Sequence, residues 1–185
     1  MSNETGTPRT PPETPSRFGN SYSQAVAKWK KTGCGKMSMC VEQSLYEAIQ
    51  AELRPGDNTI EFGSGLSTFA FASRFTTHTC VENNPDQYAI VDKIFGDCMY
   101  SGLAPQLGWY VAKMHVKRRV ILVDGPSQAD GGNRLNGFDT IMQCAQPNTV
   151  FFIDDVHRGN ELLLAQKIAA ATGREIQFTD RWARI

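Results

Sequence analysis

One run constrains this chain more than any other: Thr59-Ile60-Glu61-Phe62-Gly63-Ser64-Gly65-Leu66-Ser67-Thr68. An apolar strand ends in an acid, turns through two glycines and opens a helix with hydroxyl residues. Glycines let a backbone approach a ligand closely, and the bare N–H groups of the new helix point at it. A second acid, Glu82, closes the next apolar segment, His78-Thr79-Cys80-Val81-Glu82. A carboxylate there stands beside the turn and can accept hydrogen bonds from both hydroxyls of a ribose. The pattern predicts a site for a nucleoside-bearing cofactor; the plainer alternative is an α/β domain whose glycine turn is only a turn.

Charge at the turn decides which cofactor. A dinucleotide fingerprint needs a third glycine for close helix packing, and this chain has Thr68 there. Glu61 also puts negative charge where a pyrophosphate would lie. That suits a cationic ligand better, such as the sulfonium and amino groups of S-adenosylmethionine.

The rest of the chain predicts the scaffold around that turn. Residues 1–18, rich in Pro, Thr, Ser and Glu, are expected to be a disordered tail, leaving 19–185 as a single domain. Tyr22–Lys31 reads as an amphipathic helix carrying Trp29. Ser38 reads as the cap of a second helix with Val41, Leu45, Ala48, Ile49 and Leu53 on one face. Strand and helix signals then alternate: strand 58–62, helix 66–75, strand 78–82, helix 85–93, and a third strand somewhere in Ile94–Met114. Val120–Val123 is a buried strand ending at Asp124, followed by a helix over 134–145. Thr149–Ile153 is another, ending at Asp154-Asp155. Glu161–Thr172 is a helix stopped by Gly173, and Glu175–Ile185 a hairpin around Asp180. Continuous apolar strands between helices predict an α/β fold: a doubly wound, mostly parallel sheet with helices on both faces and a C-terminal β-hairpin.

Lys plus Arg and Asp plus Glu both total 19 in 185 residues, which argues against a general nucleic-acid or membrane-surface role. Basic clusters at Lys28/Lys30/Lys31/Lys36 and Lys113/Lys117/Arg118/Arg119 read as solvated faces, or as a pocket rim that attracts an acidic substrate. No apolar run approaches the ~20 residues of a membrane span, and the N-terminus lacks a signal-peptide core. The 5 cysteines include no C-x-x-C pair and the 3 histidines complete no zinc pattern, so a reduced, cytoplasmic protein is expected.

The ordered motifs resemble a family. Glu61 to Thr68, then Val81-Glu82-Asn83-Asn84-Pro85, Val123-Asp124-Gly125-Pro126 and Ile153-Asp154-Asp155-Val156 follow the order of class I S-adenosylmethionine-dependent methyltransferases, a likeness spanning residues 33–160. Gly108-Trp109-Tyr110 is similar to a run in small methyltransferases of this class. Lys36-Met37-Ser38 resembles the cofactor-gripping loop of the catechol O-methyltransferase group. The resemblance implies a Rossmann-like fold and a cofactor set of Met37, Ser38, Glu61, Gly63, Ser64, Gly65, Ser67, Thr68, Glu82, Asn83, Asp97 and Asp124. In that set Glu61, Gly63 and Ser64 face the methionine end, Glu82 the ribose, Asn83 the adenine edge, and Gly96-Asp97-Cys98 forms an adenine-contacting loop.

Asp124, Asp154 and Asp155 close strands expected to be neighbours, about 4.8 Å apart. Three carboxylates there suit Mg²⁺, a hard cation that takes oxygen ligands, lowers the pKa of a substrate hydroxyl and orients it. The resemblance to magnesium-dependent catechol and sugar O-methyltransferases points the same way. In the metal-free alternative Asp124 binds the cofactor amine, Asp155 caps the following helix, and His157 is the general base. Arg134 and Arg158 are candidate anchors for an anionic substrate. The expected activity is methyl transfer, most simply to oxygen on a small-molecule or glycan acceptor, with Asp124, Asp154 and His157 as catalytic candidates. No nucleic acid or membrane partner is expected, and a homodimer is allowed for. The rivals are a non-catalytic, methyltransferase-like binding subunit, favoured by the compact size, and an NAD-dependent reductase.

Overall fold

The computed structural model describes residues 21–33, 40–72, 76–112 and 114–185. The predicted tail, Ser38 as a cap, and Met37 and Ser38 as cofactor ligands lie outside these residues. The strands are β1 Asn58–Phe62, β2 Thr77–Glu82, β3 Cys98–Tyr100, β4 Leu103–Ala104, β5 Trp109–Tyr110, β6 Arg118–Val123, β7 Ala145–Asp154, β8 Gln177–Phe178 and β9 Trp182–Arg184. The helices are α1 Tyr22–Thr32, α2 Gln43–Glu52, α3 Leu66–Ala72, α4 Pro85–Phe95, α5 Phe138–Cys144 and α6 Gly159–Thr172. Among the described residues no helix is long and apolar enough to cross a membrane.

Seven strands form one sheet in the order β3-β2-β1-β6-β7-β9-β8. The first five are parallel, and β9 runs antiparallel between β7 and β8. Alternation along each strand fills two cores. Ile60, Phe62, Ile121, Val123, Phe151 and Ile153 face the helices α5 and α6. Val120, Leu122 and Phe152 face the other way, against Trp29 of α1, Leu45 and Ile49 of α2 and Phe69 of α3. A sheet covered on both faces needs apolar residues at every position, which is why β6 and the end of β7 read as unbroken apolar runs.

The structure corrects the middle of the chain. The third strand is Cys98–Tyr100, at the sheet edge beside β2, and a separate two-stranded hairpin, β4–β5, follows it. Gly96 is the left-handed C-cap of α4, at φ 83°, so Gly96-Asp97-Cys98 begins a strand instead of ending one. The helix expected over 134–145 divides into a 3₁₀ turn, Arg134–Gly137, and α5, because Gly137 presses on the Trp109 indole, where a Cβ would lie 2.5 Å away.

The junction after β1 is the tightest point in the sheet. Gly63 has φ 90°, and a Cβ there would lie 2.6 Å from the Gly125 amide nitrogen after β6. Alanine fails on both counts, conformation and space. Gly63→Ala is expected to lower stability by about 2–4 kcal/mol, read from the urea midpoint; an unchanged midpoint would show that the two strand ends need no such contact.

Candidate functional site

The C-terminal ends of β2, β1, β6 and β7 lie side by side and open onto one cleft, lined by Gly63, Ser64, Gly65, Glu82, Asn83, Tyr110, Asp124, Gly125, Asp154 and Asp155, with Arg158 and Arg181 beyond them. Open parallel sheets place ligands at this edge.

Glu82 is the anchor on one side. Its Oε2 accepts from the Ser64 amide at 3.0 Å and the Ser64 hydroxyl at 2.8 Å. Its Oε1 accepts from the amides of Asn83 and Asn84, both at 2.8 Å. Three of these four donors are backbone groups held by the fold. The fourth, Ser64 Oγ, is a rotor that can turn away and leave a lone pair to a ligand hydroxyl. Gly65 stands over the same space: a Cβ there would meet Gln87 Nε2 at 3.3 Å and the Trp29 ring at 3.8 Å.

Glu61, Ser67 and Thr68 do something else. Ile60 and Phe62 face α5 and α6, so Glu61 between them points to the opposite face, beneath the start of α3. It is fully buried, and its carboxylate accepts from Ser67 Oγ at 2.7 Å and from Thr68 Oγ1, with His78 Nε2 3.3 Å away. Thr68 Oγ1 in turn accepts from the Gly65 amide at 3.1 Å. These residues brace the glycine turn from below and do not line the cleft. His78 belongs to this brace: its ring stacks on Phe71 at 4.4 Å and its Nδ1 lies 2.9 Å from Thr59 Oγ1. Asp97 is misplaced by the sequence reading. It is exposed before β3, and its carbonyl accepts from the Cys80 amide, at the end of the sheet away from the cleft. The loop that follows β3 is Ser101-Gly102, and the Ser101 amide donates to the Glu82 carbonyl at 2.9 Å.

At the other side of the cleft the three aspartates converge as expected, with carboxylate oxygens within 4.8 Å of one another. The surroundings are not those of a metal centre. The buried Arg134 guanidinium lies 3.3 Å from Asp155 and 3.7 Å from Asp124, and donates to the Asp154 carbonyl at 3.2 Å. Asp155 is further paired with Arg158 at 2.9 Å and Arg181 at 3.0 Å. A divalent ion would have to share these oxygens with a buried fixed cation and two more arginines. The donor set does not fit Mg²⁺. Asp155 is a hub for arginines, held at φ 62° where few non-glycine residues sit. Its carboxylate is not needed as a cap for α6, whose N-cap is Arg158 with no side-chain capping bond.

His157 is exposed and is not among the cleft-lining residues, because the left-handed Asp155 turns the chain outward. Among the described residues, four that line the cleft carry a buried polar atom with no hydrogen-bond partner: Trp29 Nε1, Tyr110 Oη, Asp154 Oδ1 and Arg181 Nε. Tyr110, missed by sequence reasoning as a site residue, arrives on the β4–β5 hairpin and stands over Gly125, where a Cβ would lie 2.5 Å from its hydroxyl. Burial, with the Glu82 charge next, holds that phenol protonated well above its usual range. Burial and the adjacent Asp154 push the Asp124 carboxyl well above the ordinary carboxylate range; burial and Asp155 raise Asp154 as well.

Comparison with solved structures places the fold. The chain superposes on a precorrin-6y C5,15-methyltransferase from Geobacter metallireducens with TM-score 0.61 and 11% identity, over 82% of this chain and 90% of that one. It superposes on an O-methyltransferase from Bacillus cereus in complex with SAH with TM-score 0.58 and 13% identity, over 88% of each chain. The SAH-bound methyltransferase PaMTH1 from Podospora anserina gives TM-score 0.57 and 13% identity over 86% of each chain. No protein-family model matches the chain, and no curated relative does. The fold is the Rossmann-like one of class I S-adenosylmethionine-dependent methyltransferases.

The raised carboxyls fix a pH dependence. An acid whose pKa is higher in the folded state binds its proton more tightly there, so stability falls as pH rises from the unfolded pKa through the folded one. Asp124→Asn is therefore expected to raise the urea midpoint at pH 8 and to flatten its decline between pH 5 and pH 8. A midpoint lowered equally at both pH values would contradict the placement of a buried charge there. For the arginine hub, millimolar Mg²⁺ is expected to leave the wild-type midpoint unchanged, while Asp155→Asn lowers stability by about 2–3 kcal/mol, less than a fully buried pair because Arg158 and Arg181 reach solvent. A Mg²⁺-dependent rise that Asp155→Asn abolishes would restore the metal centre.

Proposed function

We propose that this protein is an S-adenosylmethionine-dependent methyltransferase acting on a hydroxyl oxygen of a small-molecule or glycan acceptor. The observation that carries the reading is the fastening of the Gly63-Ser64-Gly65 turn to Glu82 at the mouth of the cleft, with the swingable Ser64 hydroxyl as the one side-chain donor on that carboxylate. Glu82 would hold a ribose hydroxyl and the turn would carry the amino-acid end; Asn83, which lines the cleft, would face the adenine. S-Adenosylmethionine supplies an electrophilic methyl group on a sulfonium.

The chain's own part is positioning and proton removal. Holding donor and acceptor in line is worth up to ~7–11 kcal/mol of a bimolecular barrier. Asp154 Oδ1, buried, unpartnered and facing the cleft, is the acceptor for the proton that leaves the attacking hydroxyl. Its raised pKa makes it a stronger base than an exposed carboxylate, without help from His157. The magnesium expected from the acid cluster has no part in this reading, since Arg134 already neutralises it. The orphaned Tyr110 and Asp154 atoms favour an occupied, working cleft over a non-catalytic subunit. A reductase is disfavoured by Thr68, which is buried against Glu61 where dinucleotide sites keep a glycine.

Calorimetry with S-adenosylhomocysteine tests this directly. The wild type is expected to bind it and not NAD. Glu82→Ala removes the charge-assisted bond to the ribose that the turned Ser64 hydroxyl makes room for, worth roughly 1.5–3 kcal/mol, and should weaken binding by about ten- to a hundred-fold. Binding of NAD instead, or an affinity untouched by Glu82→Ala, would sink the proposal.

A further inference from the structure

Asp155 carries more cation than one carboxylate can use. Three guanidinium groups converge on it, each with five N–H donors, against about four lone-pair sites. Arg134 is buried and spends its remaining donors on the carbonyls of Pro126, Asp154 and Asp124. Arg158 and Arg181 differ. Both line the cleft, with side chains 38% and 42% exposed. Among the described residues Arg158 forms an ion pair with Asp155 alone. Arg181 Nε is buried without a hydrogen-bond partner, with Glu42 Oε1 as its nearest acid at 3.6 Å. Two guanidinium forks are thus held by one shared carboxylate and aimed into the same space.

An independent observation says that this space takes a ligand. Asp154 is 4% exposed, lines the same cleft, and has an Oδ1 with no partner. Its carboxylate lies within 4.8 Å of the Asp155 group from which both arginines hang. A ligand that satisfies the whole set offers a hydrogen-bond donor to Asp154 and an anion to the two arginines, a short distance apart. Resting on the methyltransferase reading only for the name of the ligand, we propose that the methyl acceptor is a small hydroxylated acid, its carboxylate or phosphate held by Arg158 and Arg181 while its hydroxyl donates to Asp154. Bidentate guanidinium recognition suits both anions. The opposing charges nearby have partners in the fold: Asp124 lies 3.7 Å from Arg134, Asp155 is saturated by arginines, and Glu161 is buried beside Arg134 at 3.8 Å. Asp130 and Glu42 remain, at the rim. A cation drawn to those two acids is the competing outcome.

The test follows the arginine Nε–Hε resonances of the full chain by NMR, with and without S-adenosylhomocysteine. Sodium acetate, sodium phosphate and methylammonium chloride are titrated in turn at constant ionic strength. Acetate, phosphate or both are expected to shift Arg158 and Arg181 saturably in the millimolar range, leaving exposed Arg54 with a small linear drift. The tighter of the two tells a carboxylated acceptor from a phosphorylated one. Arg158→Gln and Arg181→Gln should each weaken the effect roughly ten-fold, with S-adenosylhomocysteine affinity unchanged. Shifts no larger than those of Arg54, a response as strong in both variants as in the wild type, or saturation by methylammonium alone would each overturn the proposal. Failure to bind S-adenosylhomocysteine, with the anion response intact, would instead strike only the methyltransferase reading.

Discussion

The cleft exists because two strand ends touch with no side chain between them. Gly125 after β6 donates to the Phe62 carbonyl at 2.6 Å, and the Asp124 amide donates to the same oxygen at 2.9 Å. On the other side, the Gly63 amide donates to the Val81 carbonyl at 2.8 Å. The chain leaving β1 is therefore fastened to both neighbours at the moment it turns. A side chain at Gly63 or Gly125 would part β1 from β6, and with it separate Glu82 from Asp124. The spacing of the two acidic poles of the site is set by this backbone contact.

Two glutamates on neighbouring strands then take opposite jobs for a reason of parity. Side chains alternate along a strand, so Glu61, flanked by Ile60 and Phe62 in one core, must enter the other. There it can only be tolerated with partners, and Ser67, Thr68 and His78 supply them. Glu82 is the last residue of β2, where the next backbone amides curl back to its carboxylate. A buried acid inside a strand becomes a brace; one at the strand's end lines the cleft.

This distinction marks what the sequence made legible. Strands buried on both faces declare themselves as apolar runs, so β1, β6 and the end of β7 were readable, and with them the convergence of Glu82, Asp124, Asp154 and Asp155. The edge strand β3 was not, since Met99 and Tyr100 are exposed and leave no apolar run. Gly96 therefore looked like a turn after a strand, when it ends a helix, and Asp97 was assigned to the wrong end of the sheet. Glu61 was misread because the motif resembles a ligand-facing acid, while the parity that buries it depends on which face each core occupies. Arg181 carried no local signal at all. The antiparallel pairing of Asp154 with Trp182 brings it to Asp155 across the sheet.

That late-arriving hairpin changes the chemistry of the acid cluster. Three converging carboxylates alone would repel one another and call for a dication. With Arg134 inside the cluster and Arg158 and Arg181 upon Asp155, the charge is balanced by groups that cannot leave or lose their protons. Asp154 Oδ1 has no hydrogen-bond partner among the described residues, and burial and Asp154 push the neighbouring Asp124 carboxyl well above the ordinary carboxylate range. In the proposed reaction this Oδ1 atom is the acceptor for the proton of the ligand hydroxyl. The same guanidinium groups that neutralise the cluster without a metal leave one of its oxygens, Asp154 Oδ1, unpartnered among the described residues.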